Sequence, residues 1–149
     1  MKEIIIYIVL AITAGFCLPT QAGINSRLNL WAHSSILAAA ISFAVGTAGL
    51  VVYAVILRIP LPAMSSLKEY PWWIWTGGFL GAFLVAATVV LAPRLGAASM
   101  IALIVTGQMA ASVLLDHFGL IGYPVHPINV WRVCGAIMLV GGVVLIRTH

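Results

Sequence analysis

The chain has 149 residues, of which 63% are hydrophobic and only 7% are charged, and its mean hydropathy is +1.16. A soluble fold of this size would expose far more apolar surface than water tolerates, so the composition excludes a water-soluble domain. The net charge of +4 comes from Lys and Arg residues that are scattered singly. Because they form no basic patch, nucleic acid is excluded as a partner. We therefore predict one integral membrane domain over residues 1–149, with membrane lipids around it.

Five apolar runs follow one another along the chain, separated by Pro, Gly and charged residues. A helix needs roughly 20 apolar residues to cross a bilayer. Only helices or closed barrels satisfy the backbone in lipid, and these runs lack the alternation of barrel strands. The predicted fold class is therefore an all-α integral membrane protein, a five-transmembrane-helix bundle. The predicted helices cover about residues 4–30, 35–57, 72–91, 97–115 and 130–146.

Proline and small residues indicate where these spans bend and where they pack closely. Pro19 lies inside the first run and leaves the carbonyl of Gly15 without its helical donor, which predicts a kink or a flexible point for gating. Small residues at four-residue spacing predict close helix packing in the second and third spans. They are Ser42, Gly46, Gly77 and Gly81.

Polar side chains in two spans are the candidate substrate contacts. They are Gln21 and Asn25 in the first helix, and Thr106, Gln108 and Ser112 in the fourth. Residues four apart share a helix face, and polar groups are costly in lipid and often functional. Two such stripes facing a common interior would line a substrate cavity. The alternative is that these side chains only join helices through hydrogen bonds.

Charged candidates lie at span ends rather than in span centres. Asp116 and His117 close the fourth helix, and Arg27 follows the polar stripe of the first. They are candidates for ion coupling or headgroup contact; the alternatives are a solvated helix end for the first two and snorkelling to the interface for Arg27. The sequence shows no acid pair, no His/Cys metal spacing and no phosphate-binding glycine loop. It predicts no enzyme activity, no metal and no cofactor.

Positive charge is nearly balanced between the two faces that five alternating spans create. One face carries Lys2, Arg58, Lys68 and Arg132, and the other carries Arg27, Arg94 and Arg147. An excess of Lys and Arg on the cytoplasmic side normally sets orientation. We expect a chain without that excess to insert both ways up and to form an antiparallel homodimer, which has the symmetry of an inverted repeat. The alternative is a single orientation, set by a weak bias or by a partner protein.

Short motifs are spread in order along the whole chain. They are Gln21-Ala22-Gly23-Ile24-Asn25-Ser26-Arg27-Leu28, Ser42-Phe43-x2-Gly46-Thr47, Trp73-x3-Gly77-Gly78-x2-Gly81-Ala82, Ala92-Pro93-Arg94-Leu95-Gly96, Thr106-Gly107-Gln108, Leu115-Asp116-His117-Phe118-Gly119 and Arg132-x2-Gly135. Together they resemble the YdcZ-like family of the drug/metabolite transporter superfamily. The resemblance implies a multi-pass inner-membrane protein that forms half of a ten-helix inverted-repeat fold, completed by a second copy or by a paralogue.

The sequence thus favours an inner-membrane transporter that moves a small neutral, zwitterionic or amphipathic solute by alternating access as a dual-topology homodimer. The small multidrug exporters of the superfamily use a Glu in the first helix that this chain lacks, which argues against drug/proton exchange. Two alternatives stay open. One is a lipid-binding or lipid-translocating membrane protein, and the other is a non-transporting accessory subunit.

Overall fold

The computed structural model describes residues 2–62 and 70–148, and five long helices account for most of them. The helices are α1 (Lys2–Ala32), α2 (Ser35–Ile56), α3 (Gly77–Leu95), α4 (Ala97–Phe118) and α5 (Val130–Thr148). Each is long and apolar enough to cross a membrane, α3 together with the 3₁₀ turn Trp72–Thr76 that precedes it. The predicted all-α, five-helix membrane fold is confirmed. Lys68, one of the charges used to predict orientation, lies outside the described residues.

α1 remains helical through its internal proline. It has 31 residues with Pro19 inside, so it is longer than a single crossing requires. Side-chain hydroxyls along it bond back to its own carbonyl oxygens: Thr13 Oγ1 donates to Val9 at 2.8 Å and Ser26 Oγ donates to Ala22 at 2.8 Å. These hydroxyls are therefore satisfied within the helix, as a lipid environment requires.

α3 ends four residues later than the sequence predicts. The prediction stops the helix near Leu91, ahead of Pro93, whereas α3 continues to Leu95 with that proline in its last turn. Pro93 removes the backbone donor for the Val89 carbonyl, a loss that transmembrane helices tolerate because neighbouring groups can satisfy the freed carbonyl. The break comes instead at Gly96, whose φ of 77° is a conformation that L side chains rarely adopt.

The chain divides into two compact units. One comprises Met1–Pro19 with Arg94–His149, and the other comprises Thr20–Pro93. Both divisions come directly after a proline inside a helix, Pro19 in α1 and Pro93 in α3. The single domain over residues 1–149 stays a prediction.

In the unit Thr20–Pro93, the side chain of Phe43 on α2 lies close to Gly81 on α3. A Cβ on Gly81 would lie 3.3 Å from Cζ of Phe43, which is tighter than ordinary van der Waals contact. Apart from the chain neighbours and the nearby backbone of the same helix, no described atom lies within 4 Å of the place that a Cβ would occupy on Gly46 or Gly77, and Ser42 is half-buried. The packing roles given to these small residues stay predictions.

In the unit that contains the chain's second half, α4 and α5 pack side by side as an antiparallel hairpin. The loop 119–129 joins the end of α4 to the start of α5. Met100 is fully buried near the start of α4, and Val143 is buried near the end of α5. Two grooves lie between the helices of this unit, one at each end of the hairpin.

Candidate functional site

Asn25 is the buried polar side chain in the second half of α1. It is 2% exposed, and Ala22, one turn earlier on the same side of the helix, is 1% exposed. The Asn25 Nδ2 finds no hydrogen-bond acceptor among the described residues. Buried amide donors are rarely left unpaired in proteins, so Asn25 is a candidate for contact with a molecule outside the described residues.

Gln21 and Asn25 do not share the same degree of burial although they are four residues apart. Gln21 is exposed and Asn25 is buried. Arg27, which follows them, is exposed as well. The stripe predicted on α1 therefore combines one enclosed amide with one accessible amide.

The polar residues of α4 differ in how they are satisfied. Thr106 is half-buried, and its Oγ1 donates to the carbonyl oxygen of Ala102 at 2.9 Å. Gln108 and Ser112 are exposed. The Thr106 hydroxyl proton is thus used within its own helix, whereas the two exposed side chains are accessible from outside this chain.

The end of α4 and the start of α5 are tied together by side chains. Arg132 Nη1 donates to Asp116 Oδ2 at 3.1 Å and to the carbonyl oxygen of His126 at 3.2 Å. The backbone N–H of His126 donates to the Asp116 carbonyl oxygen at 2.8 Å. Arg132 and Asp116 form an ion pair with side-chain exposures of 30% and 27%. The positive partner offsets the unfavourable placement of a carboxylate at a helix C-terminus.

His117 also bonds to this loop. Its Nδ1 accepts a hydrogen bond from the backbone N–H of Ile128 at 3.1 Å. Its ring meets the Phe118 ring edge-on, with centroids 4.7 Å apart at 71°. The roles in coupling or headgroup contact predicted for Asp116, His117 and Arg27 stay predictions, but the first two also hold the hairpin loop in place.

Glycine and asparagine explain why the chain turns here. Gly119 ends α4 at a φ of 60°, and a Cβ there would lie only 2.7 Å from Cγ2 of Val125. Both the backbone conformation and the available space therefore require glycine. α4 runs to Phe118, three residues beyond the predicted end, because the left-handed residue comes only at Gly119. Asn129 starts α5, and its Oδ1 accepts from the backbone N–H of Arg132 at 2.9 Å, as an N-cap does.

A groove of about 350 Å³ opens beside the ion pair, between α4 and α5. We call it the polar groove; its lining residues are Met109, Ser112, Val113, Asp116, Arg132, Gly135 and Ala136. Two residues predicted from the sequence, Ser112 and Asp116, thus share one site. Thr106 and Gln108 are not among its lining residues. Within residues 2–62 and 70–148, no three His, Cys, Asp or Glu side chains are grouped so as to hold a metal ion.

The sequence interpretation treats Arg132 as a flanking charge and misses its role in this groove. A signal for the pair was present, because α4 ends and α5 begins on the same face of the membrane. An acid at one of those ends and a base at the other are therefore neighbours. The role of Asn129 could also have been predicted from the sequence, since Asn directly before an apolar helix is a common N-cap.

Comparison with known proteins confirms the resemblance that the motifs carry. The family model described as "Putative inner membrane exporter, YdcZ" matches residues 6–145. Inner membrane protein YdcZ of Escherichia coli (strain K12) is 37% identical over 75 residues, which cover 50% of this chain and 50% of that protein. The match therefore spans about half the length of this curated relative. No solved structure matches the chain. The chain belongs to the YdcZ family and is an inner-membrane protein.

Proposed function

We propose that this protein exports a small neutral, zwitterionic or amphipathic solute across the inner membrane, by alternating access as an antiparallel homodimer. Membership of a family whose description names an inner membrane exporter supports the transport part of the proposal. Five membrane-crossing helices support a route through the bilayer. The near-equal division of Lys and Arg between the two faces supports the antiparallel arrangement.

The observation that carries the proposal is the Asn25 amide. It is almost fully buried, and its Nδ2 has no acceptor among the described residues. Such a group costs about 1–3 kcal/mol when it stays unpaired, and a solute that accepts its hydrogen bond would remove that cost. We assign Asn25 and Gln21 to solute contact, with Thr106, Gln108 and Ser112 as a second group of contacts.

The polar groove favours a zwitterion within the proposed solute class. Asp116 and Arg132 place opposite charges side by side, and Ser112 adds a hydroxyl. Arg132 uses Nη1 for both of its side-chain bonds, so its other nitrogens still have protons to donate. An ammonium group would be attracted to Asp116 and a carboxylate to Arg132, while Met109 and Val113 would contact apolar parts of the solute.

The two helix-internal prolines support alternating access. The compact units divide directly after Pro19 and Pro93. A proline removes one helical hydrogen bond and so weakens the helix at that position. We assign Pro19 to the flexible point of the transport cycle.

Efflux from proteoliposomes tests this function. Vesicles that contain the purified protein are loaded with neutral amino acids, glycine betaine, an amphipathic dye and putrescine, and mass spectrometry follows what remains inside. We expect loss of a neutral, zwitterionic or amphipathic solute and retention of the dication putrescine. For the solute that moves, Gln21→Ala, Asn25→Ala and Gln108→Ala should each slow efflux about tenfold, the equivalent of about 1.4 kcal/mol. Asn29→Ala serves as the matched control on α1.

Other outcomes would contradict the proposal. If all three variants transport like the wild type, the assigned contacts are wrong. If no solute leaves but fluorescent phospholipid crosses between leaflets, the protein translocates lipid instead. If neither moves unless a second membrane protein is present, the chain is an accessory subunit.

A further inference from the structure

A second groove, distinct from the polar groove, lies at the opposite end of the α4–α5 hairpin. Its walls run from Ala97 to Val105 on α4 and from Leu139 to Ile146 on α5, with Pro19 of α1 completing it. Its volume is about 530 Å³, within the range of about 300–1,000 Å³ typical of small-molecule sites. Every lining side chain is apolar or a glycine. We call this the apolar groove.

The length of the apolar groove matches one leaflet of the bilayer. From Ala97 to Val105 the wall extends about 12 Å at a rise of about 1.5 Å per residue. One leaflet contributes about 15 Å of hydrocarbon, half of a core about 30 Å thick. The groove starts at a helix end, and therefore at the membrane surface, and it stops near the middle of the span. A packed helix from a second copy would instead follow α4 over its whole length of about 33 Å. The dimensions thus favour one acyl chain.

Positive charge stands at the outer end of the apolar groove. Arg147 follows the groove residues Leu139 and Val143 at four-residue steps, so it extends the same face of α5 by one turn. Arg94 precedes the first wall residue, Ala97, by three positions. Both arginines are exposed, and neither has an ion-pair partner among the described residues.

On the membrane face that holds these arginines, the described residues include no acidic side chain. With five alternating spans, the start of α4 and the end of α5 lie on one face. The acidic residues in the described part of the chain are Glu3 and Asp116, and the alternation of five spans puts both on the other face. Unneutralised guanidinium groups at headgroup depth attract anionic phospholipids.

We propose that the apolar groove is a binding site for an anionic phospholipid, with one acyl chain between α4 and α5 and the phosphate beside Arg147 and Arg94. The first turn of α4 adds backbone N–H groups at the same end, since Gly96 supplies no side-chain cap. The site lies at the other end of the hairpin from the polar groove, so it does not depend on solute export being correct.

Photolabelling with lipid tests this site directly. The protein is reconstituted in nanodiscs that contain a trace of phosphatidylglycerol with a diazirine on its acyl chain, and labelled peptides are mapped by mass spectrometry. We expect labelling to concentrate on residues 97–105 and 139–146. Gly142→Leu should fill the groove and reduce this labelling to the level of the other helices. Gly141→Leu is the matched control, because the neighbouring Gly141 does not line the groove and a Cβ has open space at both positions.

The headgroup contact has its own variant, which leaves the packing of the hairpin untouched. Arg147→Gln should weaken labelling by phosphatidylglycerol about fivefold, the effect of about 1 kcal/mol for one arginine at an anionic surface. Labelling by phosphatidylcholine with the same acyl chain should not change, and Arg58→Gln should affect neither lipid.

Three results would overturn the proposal. The first is equal labelling of the Gly142→Leu and Gly141→Leu proteins. The second is equal use of phosphatidylglycerol and phosphatidylcholine by the wild type, which would make the groove an unselective lipid contact. The third is protection of residues 97–105 and 139–146 from both lipids in the wild type, which would mean that another protein surface fills the groove. If Gly142→Leu fails to fold, the Arg147→Gln comparison still decides the proposal.

Discussion

At Asn25, a solute-binding role and a helix-joining role predict opposite effects of one substitution. Leu has the same number of side-chain heavy atoms as Asn, branched at the same carbon, but carries no polar atoms. If the Asn25 amide awaits a solute, Asn25→Leu removes an unpaired buried donor, and the protein should melt at the same temperature or a higher one while it loses solute transport. Thermal unfolding in detergent and efflux from proteoliposomes, measured on the same preparation, check both halves.

The control for this substitution lies one turn further along α1. Asn29 is half-buried and has the same chemistry, so Asn29→Leu should leave transport unchanged. A hydrogen bond that joined Asn25 to another helix would contribute about 1 kcal/mol in a membrane. A lower melting temperature for Asn25→Leu together with normal transport would therefore show that the residue is structural.

The sequence could place Asn25 on a helix but could not reveal its burial. Four-residue spacing puts Gln21 and Asn25 on one face, yet 400° of rotation leaves them about 40° apart at 3.6 residues per turn. That offset and the longer Gln side chain are enough for one amide to be enclosed and the other exposed. Only the packing around α1 decides between them.

At the scale of elements, Gly119 determines how α4 ends and how the hairpin loop begins. Gly119→Ala should destabilise the protein for two reasons. A non-glycine residue in the left-handed conformation costs about 1–2 kcal/mol, and the new Cβ would lie 2.7 Å from Val125 Cγ2. A second substitution, Val125→Ala, should restore the part caused by the clash and leave the backbone part. Thermal unfolding of the two single variants and the double variant separates the steric cost from the backbone cost.

Gly107 provides the comparison for Gly119 because it lies in the middle of α4 and a Cβ there would meet open space. Ala is a better helix former than Gly by about 1 kcal/mol. Gly107→Ala should therefore be neutral or stabilising. Equal losses of stability for Gly119→Ala and Gly107→Ala would mean that the loop geometry at Gly119 causes no additional destabilisation.

Pro19 lets one substitution distinguish a flexible point from a passive kink. Pro19→Ala restores a backbone donor for the Gly15 carbonyl and should stabilise α1, since a proline inside a helix costs about 3 kcal/mol in water and less where neighbours compensate. If bending at Pro19 is part of the cycle, kcat for transport should fall while KM changes little. Pro60→Ala, in the loop after α2, is the control. A stabilised protein with unchanged kcat would remove Pro19 from the mechanism.

The five spans were predictable because run length and polarity alone determine what can cross a bilayer. Helix ends were harder to predict, since a sequence does not show which glycine adopts a positive φ. α4 ends at Gly119 and α3 ends at Gly96. The Asp116–Arg132 pair was missed for a different reason. Charges at span ends indicate mainly the orientation of the chain, and orientation does not reveal pairing across a loop. Neither groove was predictable, because each depends on how α4 and α5 pack along their length.

At the scale of the whole molecule, the charge balance predicts two orientations of one chain. A reporter active only in the cytoplasm and a reporter active only outside it, each fused after His149, should both report strongly. The reason is that four Lys and Arg residues on one face against three on the other give little preference. A strong signal from one reporter alone would remove the antiparallel homodimer and leave a paralogue or a parallel dimer.

Removing basic residues from one face or the other should then shift this balance in opposite directions. Arg27→Ala leaves four basic residues against two, so the face with Lys2 should become cytoplasmic and, with five spans, the C-terminus should lie outside. Removing Lys2, Arg58 and Lys68 together leaves one against three, an imbalance of the same size in the other direction, and should bring the C-terminus inside. Arg27→Lys keeps the charge and should preserve both orientations. Because an antiparallel dimer needs both orientations in similar amounts, either biased variant expressed alone should lose transport, and coexpression of the two should restore it.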